Sequence, residues 1–222
     1  MCCVCLCQIH FYPFVGVVAI GRNYEKKRQE ILDVAVQAFR ELGFEQTSMS
    51  EISARIGGSK ATLYNYFSSK EELFFEVIFI SGEEKYEATH ACLDPATENV
   101  REALLTFGQR SITQGSSPEI IAALRLAIAE AKSANLGPMF YERGQRHSEN
   151  ILTDFFRALM AQGRLRTADA RVAAQHFRAL MEAELLMRLL YGVQEVVSET
   201  EIREVTQRFV DVFMAAYGSD NQ

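Results

Sequence analysis

Tryptophan is absent from this 222-residue chain, proline occurs four times, and cysteine appears only once, at Cys92, beyond residue 7. So little proline, together with 48% hydrophobic and 23% charged residues, excludes a proline-rich linker or a disordered chain. That apolar content can build one large domain or two small ones. The shortage of later cysteines leaves no second pair to complete a tetrahedral metal site and no disulfide framework, which points to a reduced, cytoplasmic setting. The four histidines are scattered, and there is no nucleophile elbow, phosphate-cradling glycine loop or paired metal motif. The pattern argues against an enzyme, and no cofactor is implied. Positive charge is scarce overall: the net charge of −6 argues against a general polyanion binder. Locally the balance differs. Residues 22–75 carry eight basic side chains (Arg22, Lys26, Lys27, Arg28, Arg40, Arg55, Lys60, Lys70) against eight acidic ones, so the negative excess lies after residue 75. Nucleic-acid contact therefore belongs to the first third of the chain.

Residues 1–21 hold no charged side chain and four of the five cysteines. They lack the basic start of a secretory signal. Gln8, His10 and Pro13 interrupt the roughly 20 consecutive apolar residues that a membrane span needs. Cys2, Cys3, Cys5 and Cys7 with His10 could ligate a soft metal, but nothing follows to complete the site. The segment reads as a loosely docked extension or a start site placed too far upstream.

From residue 22 onward the pattern is helical. Ile31, Ala35, Phe39 and Leu42 recur at i, i+4, i+8 and i+11, one apolar stripe that Gly43 closes as a left-handed cap, with Phe44 as its apolar follower. Ser48 and Glu51 form a capping box for a short second helix that buries Ile52 and Ile56 and ends at Gly57-Gly58. Ser59 caps a third short helix over residues 60–67, in which Leu63 and Phe67 face inward while Thr62, Tyr64 and Asn65 face outward. Two short helices joined by a glycine turn suit the major groove, which is about 12 Å wide. An outward tyrosine suits that surface, since its ring packs on thymine methyls or sugar while its hydroxyl donates to phosphate. Ser69 and Glu72 make a second capping box.

Thr47-Ser48, Ile52, Gly57, Ser59, Leu63-Tyr64, Tyr66-Phe67 and Lys70-Glu71-x-Leu73 together resemble the amino-terminal helix-turn-helix signature of the TetR family of transcriptional regulators, over about residues 25–77. Two departures stand out. The chain has Ile56-Gly57-Gly58-Ser59 where the family usually has Ala-Gly-Val-Ser, and Ala61 where it usually has glycine. The first should loosen the turn, and the second should firm the recognition helix, since glycine costs up to about 1 kcal/mol against alanine. The resemblance implies phosphate contacts from Thr47, Ser48, Tyr66 and Lys70, and groove-facing positions at Ser50, Lys60, Ala61, Thr62, Tyr64 and Asn65. It brings Arg22, Lys26, Lys27 and Arg28 toward phosphates or the minor groove. Without DNA, Phe67 reads as core and the lysines as solvated.

The remaining residues read as a second helical body. A connector helix covers residues 71–90 and breaks at Asp94-Pro95; further helices cover 97–114, 118–132 and 139–162. The stretches "RLAIAEA", "MFYERGQRH" and "GRLR" resemble the ligand-binding domain of the AcrR-like and AefR-like branch of the same family. Residues 167–191 are apolar on nearly every side, and residues 198–217 repeat the pattern, so this pair predicts a four-helix homodimer interface. A dimer would set two recognition helices about 34–36 Å apart on a palindromic operator.

The expected fold is thus all-α. Residues 1–21 form an extension, 22–75 a three-helix DNA-binding domain, and 76–222 a helical ligand-binding and dimerisation domain. Phe107, Arg125, Met139, Phe140, Tyr141, His147, Phe177, Met181 and Glu184 are the candidate pocket residues, apolar with a few polar groups, although each also reads as ordinary packing. The resemblance implies a ligand-responsive regulator of double-stranded operator DNA, a repressor released by a small hydrophobic effector. Two alternatives remain open: a metal or redox sensor working through the Cys2 to Cys7 cluster, and a helical ligand-binding protein that has lost DNA binding.

Overall fold

The computed structural model describes residues 22–131 and 136–219. The cysteine-rich extension, the side chain of Arg22 and the expected helix end at Lys132 lie outside what is described. Among the described residues no β-strand forms, and a lone bridge pairs Leu165 with Gly218. In chain order the helices are α1 (Arg22–Gln46), α2 (Met49–Ile56), α3 (Lys60–Tyr64), α4 (Lys70–His90), α5 (Val100–Gly115) and α6 (Pro118–Ala129). After them come α7 (Leu136–Phe140), a π-helical turn (Tyr141–Arg146), α8 (His147–Ala161), α9 (Ala170–Glu182), α10 (Leu186–Leu190) and α11 (Glu199–Tyr217).

The first core gathers Ile31, Leu32, Ala35, Ala38 and Phe39 of α1 around Ile52, Leu63 and Phe67. Leu42 departs from the expected stripe: it is 40% exposed. Gly43 takes φ 75° and turns the chain so that Phe44, rather than Leu42, meets the core, its ring 4.8 Å from that of Phe74. That conformation suits glycine because a Cβ there would be strained.

The packing shows no seam at residue 75. Leu73, Phe74, Phe75, Val77 and Ile78 of α4 lie in the first core together with Ala123 and Ala127 of α6 and with Leu136 and Phe140 of α7. The second core joins α5, α8, α9 and α11 around a cluster of rings. Phe177 meets Phe213 at 5.0 Å and Phe209 at 5.2 Å, both edge to face, and Phe156 stacks on Phe213 at 4.9 Å. Such pairs add about 0.5–1.5 kcal/mol each beyond simple burial.

Two long helices expected from the sequence are broken. The 139–162 run contains the π-helical turn, and the 167–191 run stops after Glu182 and restarts at Leu186. A helix that is apolar on all sides cannot cover every face within one chain. The break lets Leu185 and Leu189 enter the second core. It also brings the Leu189 and Leu190 carbonyls to the Arg125 guanidinium at 2.6 and 3.0 Å.

Helix α5 approaches α11 closely because Gly108 has no side chain: a Cβ there would sit 2.6 Å from the Phe209 ring and 2.9 Å from the Thr206 methyl. Gly108→Ala is expected to lower stability by about 1–3 kcal/mol through overpacking. Gly115→Ala, which would meet nothing within 4 Å, serves as the control. Thermal unfolding followed by circular dichroism compares the two.

Candidate nucleic-acid interface

The reading head is assembled by caps. The Ser48 hydroxyl accepts from the Glu51 amide at 3.1 Å, and α2 ends at Gly57, whose φ of 72° reverses the chain. The return half of the capping box is not made, because the Glu51 carboxylate instead takes Arg55 at 2.8 Å, which also reaches Glu41. Ser59 accepts from the Thr62 amide at 3.1 Å and pairs with the Thr62 hydroxyl at 2.9 Å. Ser69 caps α4 through the Glu72 amide, while the Glu72 carboxylate serves Ser68, one residue earlier than the box predicts.

Helix α3 is shorter than expected, but single turns continue it through the Tyr66 and Phe67 amides, both bonded to the Leu63 carbonyl. Leu63 and Phe67 are buried, and Tyr64 is 49% exposed between them. Lys60, Ala61 and Asn65 are exposed beside it, Thr62 is half-buried, and Ser50 is exposed on α2. These expected groove-facing positions are thus solvent-exposed, apart from the half-buried Thr62. Tyr66 is half-buried, its ring stacked 4.5 Å from that of Tyr24.

Three expected contact residues have other employment. Thr47 is only 1% exposed and donates its hydroxyl to the Gly43 carbonyl at 2.7 Å, so it latches α1 to α2 instead of facing a phosphate. The Lys70 ammonium donates to the Phe44 carbonyl at 2.9 Å and lies 4.0 Å above the Phe44 ring. Arg28 points into the molecule, bonded to Glu76 at 2.7 Å with its guanidinium 5.2 Å over the Phe67 ring. Lys27 pairs with Glu30, and Lys26 is exposed.

Comparison with known proteins places this geometry. Residues 31–77 match the amino-terminal domain of the bacterial regulatory proteins of the tetR family, and residues 102–219 match the AefR-like transcriptional repressor C-terminal domain. The chain belongs to the TetR family. An uncharacterized HTH-type transcriptional regulator of Bacillus subtilis, YezE, is 25% identical over 158 residues, which is 70% of this chain and 81% of that one. A TetR-family regulator structure from Mesorhizobium loti is 27% identical with a TM-score of 0.75, covering 87% of this chain and 98% of that one. The flavonoid-responsive regulator FrrA is 28% identical with a TM-score of 0.65, covering 88% and 99%. This TetR-family protein is accordingly a DNA-binding transcriptional regulator and not an enzyme. Among its described residues no helix is long and apolar enough to cross a membrane.

The nine candidate pocket residues of this regulator do not converge. Phe107 and Phe177 meet in the second core with rings 6.1 Å apart, and Met181 packs on the same cluster. Met139 and Phe140 belong to the first core instead. Tyr141 is exposed, Arg125 holds the end of α10, and Glu184 forms a two-pronged surface ion pair with Arg208 that keeps its carboxyl below the usual range. Periodicity could not separate these faces, because apolar residues cover most of the helical body.

His147, exposed itself, leads to a polar cluster that sequence reasoning missed: its ring stacks 5.7 Å from Tyr86. Tyr86 in turn lies 4.0 Å from His90, one turn further along α4. The two His90 nitrogens engage the Tyr86 carbonyl and the Ser148 hydroxyl, each at 2.8 Å, and the ring meets Phe107 edge to face. The Tyr86 hydroxyl is buried without an aligned hydrogen-bond partner, although Ser148 lies beside it; burial pushes its pKa up. Beside this cluster a shallow cleft of about 230 Å³ opens between α8 and α9, lined by Gln145, Glu149, Gln175, Arg178, Ala179 and Glu182. The i, i+4 spacing of Tyr86 and His90 was the available signal.

Gly58 lies outside the left-handed region, and its missing side chain borders a small apolar void among Ile31, Ile56 and Leu63. An added Cβ would touch only Ile56, at 3.9 Å. Gly58→Val is expected to raise stability by about 0.5–1.5 kcal/mol by lowering the conformational entropy of the unfolded chain and filling the void. Urea unfolding measures the gain.

Burial holds the His90 imidazole below its ordinary value; the Tyr86 carbonyl opposes this and His147 adds to it. The unfolded chain then binds a proton near pH 6.5 that the folded chain resists, so stability falls as pH drops below about 6.5. Urea midpoints at pH 7.5 and 5.5 should therefore differ less in His90→Gln than in the parent protein.

Proposed function

We propose that this protein is a homodimeric, ligand-responsive repressor in the cytoplasm that binds a palindromic double-stranded operator and is released by a small, hydrophobic, aromatic effector. The observation that carries the DNA reading is the half-exposed Tyr64 ring, held between the buried anchors Leu63 and Phe67. Ser50, Lys60, Ala61, Thr62 and Asn65 accompany it toward the groove, while Ser48 and Tyr66 flank it for the backbone. Base edges are read by such outward groups, and phosphates by the hydroxyls and amides at helix starts.

Dimerisation is proposed through α9 and α11. Ala179 on α9 and Val212, Ala215 and Ala216 on α11 face outward, and small side chains allow close helix approach. Repression accords with the AefR-like repressor domain that the chain matches. An aromatic effector accords with the ring-lined cluster of Tyr86, His90 and Phe107, whose buried, unpartnered Tyr86 hydroxyl would gain a hydrogen bond from it. FrrA, a similar protein, responds to flavonoids.

The test is a titration of the purified protein against DNA selected from random duplexes, at 50 and 200 mM salt. Affinity should fall roughly a thousandfold between them, as expected when several phosphates are neutralised. Tyr64→Ala should weaken selective binding by at least about tenfold while leaving the melting temperature unchanged. Unaltered affinity in that variant would favour a helical ligand-binding protein.

A further inference from the structure

One carboxylate joins the reading head to the effector body. Glu76, in the middle of α4, is 13% exposed at its side chain and uses both oxygens for ion pairs. Oε2 accepts from Arg28 of α1 at 2.7 Å, and Oε1 accepts from Arg143 of the π-helical turn. Each guanidinium also covers a ring. Arg28 lies over Phe67, the residue that anchors the recognition segment, and Arg143 lies 4.2 Å over Phe79. The turn itself is seated on α4 by Phe140, whose ring packs 5.5 Å from Phe75 and 5.8 Å from Phe79. A continuous line of contact therefore runs from the effector body through Arg143, Glu76 and Arg28 to the base of the recognition helix.

We propose that Arg28, Glu76 and Arg143 are positioning residues that fix the angle of the reading head against the effector body, and thereby set which half-site spacing the dimer accepts. The proposal rests on the dimeric operator reading given above. A carboxylate with both oxygens occupied holds two cations in one geometry, and partial burial shields these pairs from the screening that weakens surface ion pairs. Each ring contact adds a second constraint on its guanidinium, so neither arm can swing without losing two interactions. The π-helical turn is the moving part available to an effector. A shift there draws Arg143 off Glu76 and is felt by Arg28, which shares the same carboxylate.

The test uses the full chain and operators obtained by selection from random duplexes, then rebuilt with one or two base pairs inserted at the centre. Each insertion rotates and displaces one half-site relative to the other. The parent protein should lose at least about tenfold in affinity per insertion, whereas Glu76→Gln, neutral and nearly isosteric, should lose less than about threefold while keeping the same base preferences within each half-site. Arg143→Gln should move in the same direction by a smaller amount. Should Glu76→Gln fail to fold by circular dichroism, Arg143→Gln carries the test alone, because its side chain is 39% exposed and only one arm is cut. Parental spacing penalties in both variants, or an equal loss of affinity at every spacing, overturn the proposal. A parent protein with no spacing penalty overturns the dimeric reading, and the clamp with it.

Discussion

The burial of the first half of α4 is the interaction on which the rest of this molecule depends. Leu73, Phe74, Phe75, Val77 and Ile78 are removed from water against α1 on one side and against α6 and α7 on the other. At about 1.5–3 kcal/mol for each fully buried large side chain, this is the largest single reason for the head and the body to share a frame. The second half of the same helix carries Tyr86, Thr89 and His90 into the body. A single rigid element therefore touches both the recognition segment and the polar cluster, and neither can be repacked without a consequence for the other.

In the head, polar side chains divide between those that build the surface and those left free to use it. Thr47, Lys70 and Arg28 spend their donors on a carbonyl of α1, on the Phe44 carbonyl and on Glu76. A buried donor must be paired, and this requirement decides where such groups point before any ligand arrives. The remainder, with Tyr64 and Lys60 foremost, is exposed because Leu63 and Phe67 already occupy the inward face of a helix too short to offer a third row. In the proposed mode of DNA contact, a protein of net charge −6 relies on a few positioned groups rather than on a broad basic field.

The body follows a different economy. Its interior is built largely of interlocking aromatic rings, with a hydrophilic insertion where Tyr86, His90, Ser148 and Phe107 meet. An unpaired buried hydroxyl is a standing cost in such a place, and a ligand that satisfied it would bind the more strongly for doing so. The π-helical turn lies close by, between α7 and α8. Turns of this kind are frequent at functional sites, and this one lies between the polar cluster and the proposed carboxylate clamp.

Much of this was legible in the sequence, and each success has a local cause. The caps at Ser48, Ser59 and Ser69, the reversal at Gly57 and the burial of Leu63 and Phe67 depend on residues within a few positions of one another, so spacing alone determined them. The same holds for the all-α class and for the family signature. What depended on distant partners was decided only by the tertiary structure. Leu42 satisfies the periodicity of its helix yet faces solvent, because Phe44 reaches the core first. The 167–191 run breaks so that Leu185 and Leu189 can be covered, and Arg125 and Glu184 leave the expected pocket for partners 64 and 24 residues away. Side-chain pairs that far apart in the chain leave no periodic trace, since whether a cation meets a carboxylate, a carbonyl or a phosphate is settled by which helices come to lie against each other.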